Sequence, residues 1–443
     1  MEQSRALPYM NKLRIHNCEN LAEFNSMGFK YSYGIEFLMG FLRTVTDEYI
    51  GGLRFSGEIK RNFSIPRNSS DIVAITGPRR VGKTFSILKE IQSLQESGER
   101  AVYASFDDPF FSNIDQREFA ELVRQEYPQG KVHLFLDEIQ EWRNWDHNVR
   151  WLHDVRDFYL IVTGSSSSLL SSEIPSLLRG RYMSRTLLPL SFSEIHSQNS
   201  GQTFRESGIL RNNLEEYIKW GGFPEVWLQK SREKLVNIQE TMFYRDIIER
   251  HGVRDLTLFK EFFNHLLSNY SNPFTWNSLK KFVESMGIKI DTKTVMAYVD
   301  NISSSYLTFL NTRFSYSLKK ASNSPKKLYL VDPGIVTINS RSQDTGRKIE
   351  NLVYLQLLRM EGSINYYLNR EGSEIDFIFS KGTDRTLVGV CTEPDADHRT
   401  KIKKALKEIR GNKAVIITLN GKEVFGDPIN EIPLHKWLNS PVA

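Results

Sequence analysis

Five short apolar runs recur between residues 71 and 190, with helical periodicity in the gaps between them. The runs are Asp71–Thr76, Ala101–Phe106, Val132–Asp137, Tyr159–Thr163 and Arg185–Leu190. Continuous apolar runs of this length predict strands buried on both faces, as in a parallel sheet. After the first run, Phe85 to Leu94 places Ile87, Leu88 and Ile91 on one face of a helix. Strand and helix in alternation predict an α/β fold with a parallel sheet covered by helices.

Beyond residue 199 the period changes. Asn213 to His251 reads as helical, broken at Gly221-Gly222-Phe223-Pro224, with Glu233–Arg250 as one long helix. Leu258–Tyr270 is an amphipathic helix, Thr275 caps a second, and Thr292–Ser305 forms a third after the turn Gly287–Asp291. Phe309–Tyr316 and Leu328–Val331 then read as a hairpin. Its connection, Ser317 to Lys327, carries Lys319, Lys320, Lys326 and Lys327. Three helices and a basic hairpin spell a winged helix, whose third helix enters the major groove while the wing touches phosphates. A protein-docking winged helix with a solvated lysine loop fits the residues equally. From Gly346 a last, smaller α/β unit begins with a helix holding Glu350. Strands follow at Asn365–Asn369, Ile375–Ser380 and Leu387–Thr392, then the helix Lys401–Arg410 and the strand Lys413–Leu419.

The chemistry concentrates where the first runs end. Gly77-Pro78-Arg79-Arg80-Val81-Gly82-Lys83-Thr84 fits the phosphate-binding P-loop pattern, set between a strand and a helix as the mechanism requires. Its glycines let backbone N–H groups turn inward, and the helix start adds positive potential. Lys83 is placed to reach the β- and γ-phosphates of ATP, and the Thr84 hydroxyl to ligate Mg²⁺. The plain alternative is a chance glycine turn. The run Val132–Asp137 ends in two acids. Asp137 is the candidate to hold Mg²⁺, and Glu138 the candidate general base that polarises water. Alone, the pair also reads as a strand followed by an acidic cap. Tyr159–Thr163 leads into Gly164 and Ser165 to Ser168. Ser165, then Thr163, is the candidate to sense the γ-phosphate, with a serine-rich helix cap as the alternative.

Composition narrows the class. At 443 residues two or three domains are expected. Hydrophobic residues at 40% and charged residues at 25% suit a soluble globular chain. No apolar run reaches the ~18 residues of a membrane span, and Met1 to Lys12 lacks a signal-peptide core. With only Cys18 and Cys391, no disulfide framework is implied, and a cytoplasmic location is the simplest expectation. Lys and Arg number 58 against 53 acids, a net charge of +5, which permits a nucleic-acid partner without demanding one.

With these residues in hand, the chain resembles the AAA+-type P-loop ATPases of archaea and bacteria that carry a C-terminal PD-(D/E)XK restriction-endonuclease-like domain. The resemblance rests on Gly77–Thr84, Leu134–Gln140, Thr163–Ser168, Leu178–Tyr182, Leu188–Phe192, Trp220–Glu225, Asp332-Pro333-Gly334 and Glu350-Asn351, in that order. It implies an extension at 1–50, an ATPase core at 51–198, a helical lid at 199–253, a winged helix at 254–345 and a nuclease-like domain at 346–443. It also implies a ring, usually a hexamer, in which Arg181 or Arg179 acts in trans on a neighbour's nucleotide. Salt bridges within the sheet domain are the alternative for both arginines. The nuclease pattern is incomplete. Glu350, Glu374 and Asp376 supply acids, but the strand that should carry acid-x-lysine has Gly389, Val390 and Cys391. The expectation is a fold kept without cleavage. The implied activity is an oligomeric Mg²⁺-dependent ATP hydrolase acting on DNA, the alternative a nucleotide switch with little turnover.

Overall fold

The computed structural model describes residues 40–53, 58–164, 180–196, 203–340, 344–369, 371–411, 413–426 and 428–441. The first sheet has five strands: β1 (Ile72–Thr76), β2 (Ala101–Ser105), β3 (Val132–Asp137), β4 (Phe158–Thr163) and β5 (Tyr182–Thr186). Their order is β2-β3-β4-β1-β5, and every pairing is parallel. β1, β2 and β3 are buried at every position, which is why they read as unbroken apolar runs. The helix Lys83–Glu96 covers the sheet with Ile87, Leu88, Ile91 and Leu94.

β5 departs from expectation, lying at Tyr182–Thr186 rather than Arg185–Leu190. Leu187, Leu188 and Leu190 are buried, but outside the ladder. Pro189 has no N–H with which to extend a strand. The Leu187 N–H instead donates to the Thr76 carbonyl at 2.8 Å, closing the end of β1. The long helix expected at Glu233–Arg250 is an α-helix over Arg232–Thr241 that widens into π turns over Met242–Glu249.

The second sheet has eight strands: β6 (Pro273–Phe274), β7 (Thr308–Arg313), β8 (Lys326–Leu330), β9 (Ser363–Leu368), β10 (Glu374–Lys381), β11 (Asp384–Cys391), β12 (Lys413–Thr418) and β13 (Ile429–Pro433). Their order is β13-β12-β11-β10-β9-β7-β8-β6. Helices Leu256–Ser268, Trp276–Ser285 and Thr292–Ser304 precede the β7–β8 hairpin, and Thr275 caps the second as expected. The hairpin is not a free wing. β7 pairs in parallel with β9 through Thr312 to Asn365 and Arg313 to Tyr366, so one sheet runs across position 345. Between the hairpin strands lies a short helix, Leu318–Asn323, where a loop was expected.

One junction ties the sheets together. Asp332 is buried and accepts from three backbone N–H groups: Gly222 at 2.6 Å, Gly334 at 2.8 Å and Ile335 at 3.2 Å. Burial still raises its carboxyl to about 6 against those bonds. A Cβ on Gly221, at φ +75°, would fall 1.9 Å from Asp332 Oδ1, so only glycine fits. The Leu190 N–H donates to the Gly222 carbonyl at 2.7 Å, and the Tyr217 hydroxyl to the Leu190 carbonyl at 2.7 Å. Three of the short motifs along the chain therefore meet here.

The last helix, Leu434–Asn439, packs on the helix Phe204–Trp220, and buried His435 Nε2 lies 3.0 Å from Ser207 Oγ. Burial pulls His435 from 6.5 down to about 4. The fold thus holds a neutral ring, and its contribution is complete above pH 6.5 and lost as pH falls from there towards 4. Urea midpoints measured between pH 7.5 and 4.5 should therefore fall less steeply for His435→Gln than for the unchanged chain. Equal slopes would refute this role for His435.

Candidate functional site

The P-loop lies at the C-terminal end of β1, where open α/β sheets present ligand groups. Gly77 at φ +141° and Gly82 at φ +93° take backbone angles that side chains rarely adopt. A Cβ on Gly77 would also strike the Leu187 carbonyl. The helix begins at Lys83 with no side-chain cap, leaving its first N–H groups directed at the loop. Lys83 is buried, its Nζ donating to the carbonyls of Gly77 at 2.9 Å and Pro78 at 3.0 Å. Burial pulls this ammonium down to about 8, with Glu138 and Asp137 acting in the opposite direction.

Asp137 is the hub of the second motif. Its Oδ2 accepts from the Thr84 hydroxyl at 2.7 Å and the Tyr103 hydroxyl at 2.8 Å, and its Oδ1 from the Thr163 hydroxyl. Burial and the neighbouring Glu138 raise its carboxyl, against these hydroxyls. Thr163 Oγ1 also accepts from the Glu138 N–H at 3.3 Å. Glu138 stands at φ +48°, an angle that turns it away from the line of β3, and Gln140 Nε2 donates to it at 2.6 Å. A hydroxyl beside a buried carboxylate is a hard-oxygen pair. It suits Mg²⁺, which takes few protein ligands and fills its octahedron with phosphate oxygens and water. Among the described residues no group of three or more His, Cys, Asp or Glu could hold a metal alone. A third acid, Asp107, feels the charges of both Asp137 and Glu138. Burial raises its carboxyl first, with Glu138, Glu141 and Asp137 adding to the shift, while Asp108 caps a helix.

Two carboxylates from the helices Pro224–Gln229 and Met242–Glu249 complete the surroundings. Arg79 Nη2 donates to Asp246 Oδ1 at 2.8 Å, and its Nε lies 3.3 Å from both oxygens. Arg80 Nη1 stands 3.5 Å from Glu225, which also receives Lys234. Tyr103 and Asp246 escaped the sequence reading, and Glu225 entered it only as the end of the Trp220–Glu225 motif. Only Tyr103 carried a signal, as a hydroxyl within a buried strand that needs a partner. Arg181 pairs within the chain with Asp154. Ser165 and Arg179 lie outside the described residues.

The acids of the last unit meet a lysine from the hairpin. Lys327, expected to face phosphates, is buried on β8, with Nζ 2.9 Å from Glu350 Oε1 and bonded to Glu374. The Tyr329 hydroxyl donates to Glu350 Oε1 at 2.6 Å. Asp376 Oδ2 accepts from the Val390 N–H at 2.8 Å, and burial raises its carboxyl to about 7. An ammonium therefore stands between Glu350 and Glu374. Asn351 clasps the backbone of Leu330 with bonds of 2.8 and 2.9 Å, fixing the helix against β8. Lys319 and Lys320 remain exposed.

A family model described as an AAA domain matches residues 69–196, and one described as a domain of unknown function (DUF8612) matches 211–344. The uncharacterized protein MJ1544 of Methanocaldococcus jannaschii is 33% identical over 408 residues, covering 86% of this chain and 90% of that one. An uncharacterized protein of Haemophilus influenzae is 28% identical over 366 residues, covering 80% of this chain and 90% of its own. Among solved structures, Aeropyrum pernix ORC1 in complex with DNA covers 70% of this chain and 92% of its own at 10% identity. Its TM-score of 0.27 is too low to carry an argument.

Removing one member of a buried ion pair leaves the other charged without a partner. Lys327→Met should lower the unfolding free energy in urea by about 3 kcal/mol, and adding Glu350→Gln should restore part of that. A loss within about 0.5 kcal/mol, typical of a surface change, would show that the pair is not buried as described.

Proposed function

The chain belongs to the family of the Methanocaldococcus jannaschii protein MJ1544 and carries an AAA domain, and from this premise we propose that it is a Mg²⁺-dependent ATP hydrolase whose turnover is coupled to DNA. The observation that carries the reading is the bond from Thr84 to Asp137, beside a buried Lys83 and with Glu138 next in the chain. Thr84 and Asp137 would hold the metal, which when bound neutralises phosphate charge. The loop N–H groups and the helix start cradle the phosphates. Lys83 leaves its two carbonyls for the phosphate oxygens. Glu138 takes the proton of the attacking water, and Thr163 holds both acids in place.

The DNA half of the proposal rests on the three helices and hairpin, read as a winged helix. Lys281, Lys293, Lys319 and Lys320 are exposed on these elements and Lys289 on the turn between two of the helices, and such charges favour phosphate contacts that weaken with salt. Lys327 is excluded from that surface by burial. In a ring, Arg181 would reach a neighbour's nucleotide only by leaving Asp154. No cleavage is expected from the last unit, because β11 carries Gly389, Val390 and Cys391 in place of acid-x-lysine.

ATP hydrolysis measured with duplex and single-stranded DNA at two salt concentrations tests the reading. DNA should raise the rate, salt should erase the rise, and Glu138→Gln should lower kcat by roughly a hundredfold or more. Turnover near zero with and without DNA would replace the motor by a nucleotide switch.

A further inference from the structure

Resting on the ATP reading above, we infer that Arg79 binds the γ-phosphate within its own subunit, and that Asp246 of the lid is its positioning residue. P-loop chemistry uses backbone N–H groups and a lysine, so an arginine inside the loop has no assigned task. Here it is neither free nor pointed at bulk solvent. Its side chain is 28% exposed, while its partner Asp246 is 5% exposed. The contact spans 167 positions, from the loop to the π-helical turn. On that turn Met242, Phe243, Ile247 and Ile248 are buried in the core, so Asp246 sits on a packed face with little freedom to move.

The charges locate the arginine. For the Arg79 guanidinium burial works against the charge, but the Asp246 bond and charge outweigh it, with Glu138 and Asp107 adding to the effect. Lys83 in turn feels both Arg79 and Asp246. Arg79 thus lies near enough to Lys83, Glu138 and Asp107 for their charges to act on one another. With Glu138 as the base that takes the proton of water, this is where the terminal phosphate would lie on the ATP reading. A guanidinium has five N–H donors in a rigid fork. It can keep one bond to Asp246 and turn another edge to phosphate oxygens, giving a continuous link from lid to γ-phosphate. ADP offers no oxygen at that place. The contact is therefore made with ATP and lost after hydrolysis, which couples lid position to nucleotide state. The second tie, Arg80 to Glu225, is more exposed and contributes little.

The test is calorimetric titration of ATP and ADP with Mg²⁺ into Glu138→Gln protein, alone and combined with Arg79→Ala, Arg79→Lys or Asp246→Asn. Arg79→Ala should weaken ATP about tenfold or more while leaving ADP within about twofold. Arg79→Lys, which keeps the charge and drops the fork, should fall between, and serves if the alanine variant does not fold. Asp246→Asn should shift ATP in the same direction by less, and without Glu138→Gln it should lower kcat more than it changes KM. Equal weakening of ATP and ADP by the Arg79 changes, or no effect on either, would overturn the assignment. Failure of the Glu138→Gln protein to bind either nucleotide would overturn the ATP reading itself, and this inference with it.

Discussion

The burial of the Asp332 carboxylate among three backbone donors governs how the rest of the chain is arranged. One oxygen holds Gly222, just before the helix Pro224–Gln229, and the other holds the turn into the helix Pro333–Asn339. A buried charge with several N–H partners is costly to disturb, because each donor would lose its partner as the carboxylate lost its own. The surrounding glycines are required by space, since side chains at Gly221 or Gly334 would meet Asp332 itself. This knot fixes where the helices after Gly222 begin, and so where Glu225 and Asp246 stand relative to the loop.

The nucleotide site is then a balance of charges in a confined space. Asp137, Glu138 and Asp107 raise the cost of negative charge there, and burial lowers the pKa of Lys83. Three hydroxyls steady Asp137, and Asp246 and Glu225 hold the arginines. Phosphate and a divalent ion arriving together would satisfy both sides at once. That explains why the same segment joins a strand end, an uncapped helix start and a buried acid.

A similar charge balance recurs in the second sheet, with a different result. Glu350 and Glu374 share Lys327, a residue brought by the hairpin from outside their own unit. The pair joins the hairpin to the helix Thr345–Arg359, as Asn351 does one residue later. The acids that the sequence offered as a metal set thus also join two parts of one sheet.

Local patterns carried much of this in the sequence. The loop was legible because its glycines and lysine must be neighbours in the chain. Asp137 and Glu138 were legible because a buried strand leaves its polar residues at its end. The three helices followed from their period and caps. Lys327 read as a solvated wing charge because period and composition carry no information about a partner in another element. Asp246 was invisible for the same reason, lying 167 positions from Arg79. The edge of β5 was misplaced because buried leucines look alike inside and outside a ladder, and only hydrogen bonds tell them apart. The sequence by itself determined the P-loop, its two acids and the parallel strands that present them. The tertiary structure alone decided which charges meet, since contact between distant elements depends on packing rather than on local order.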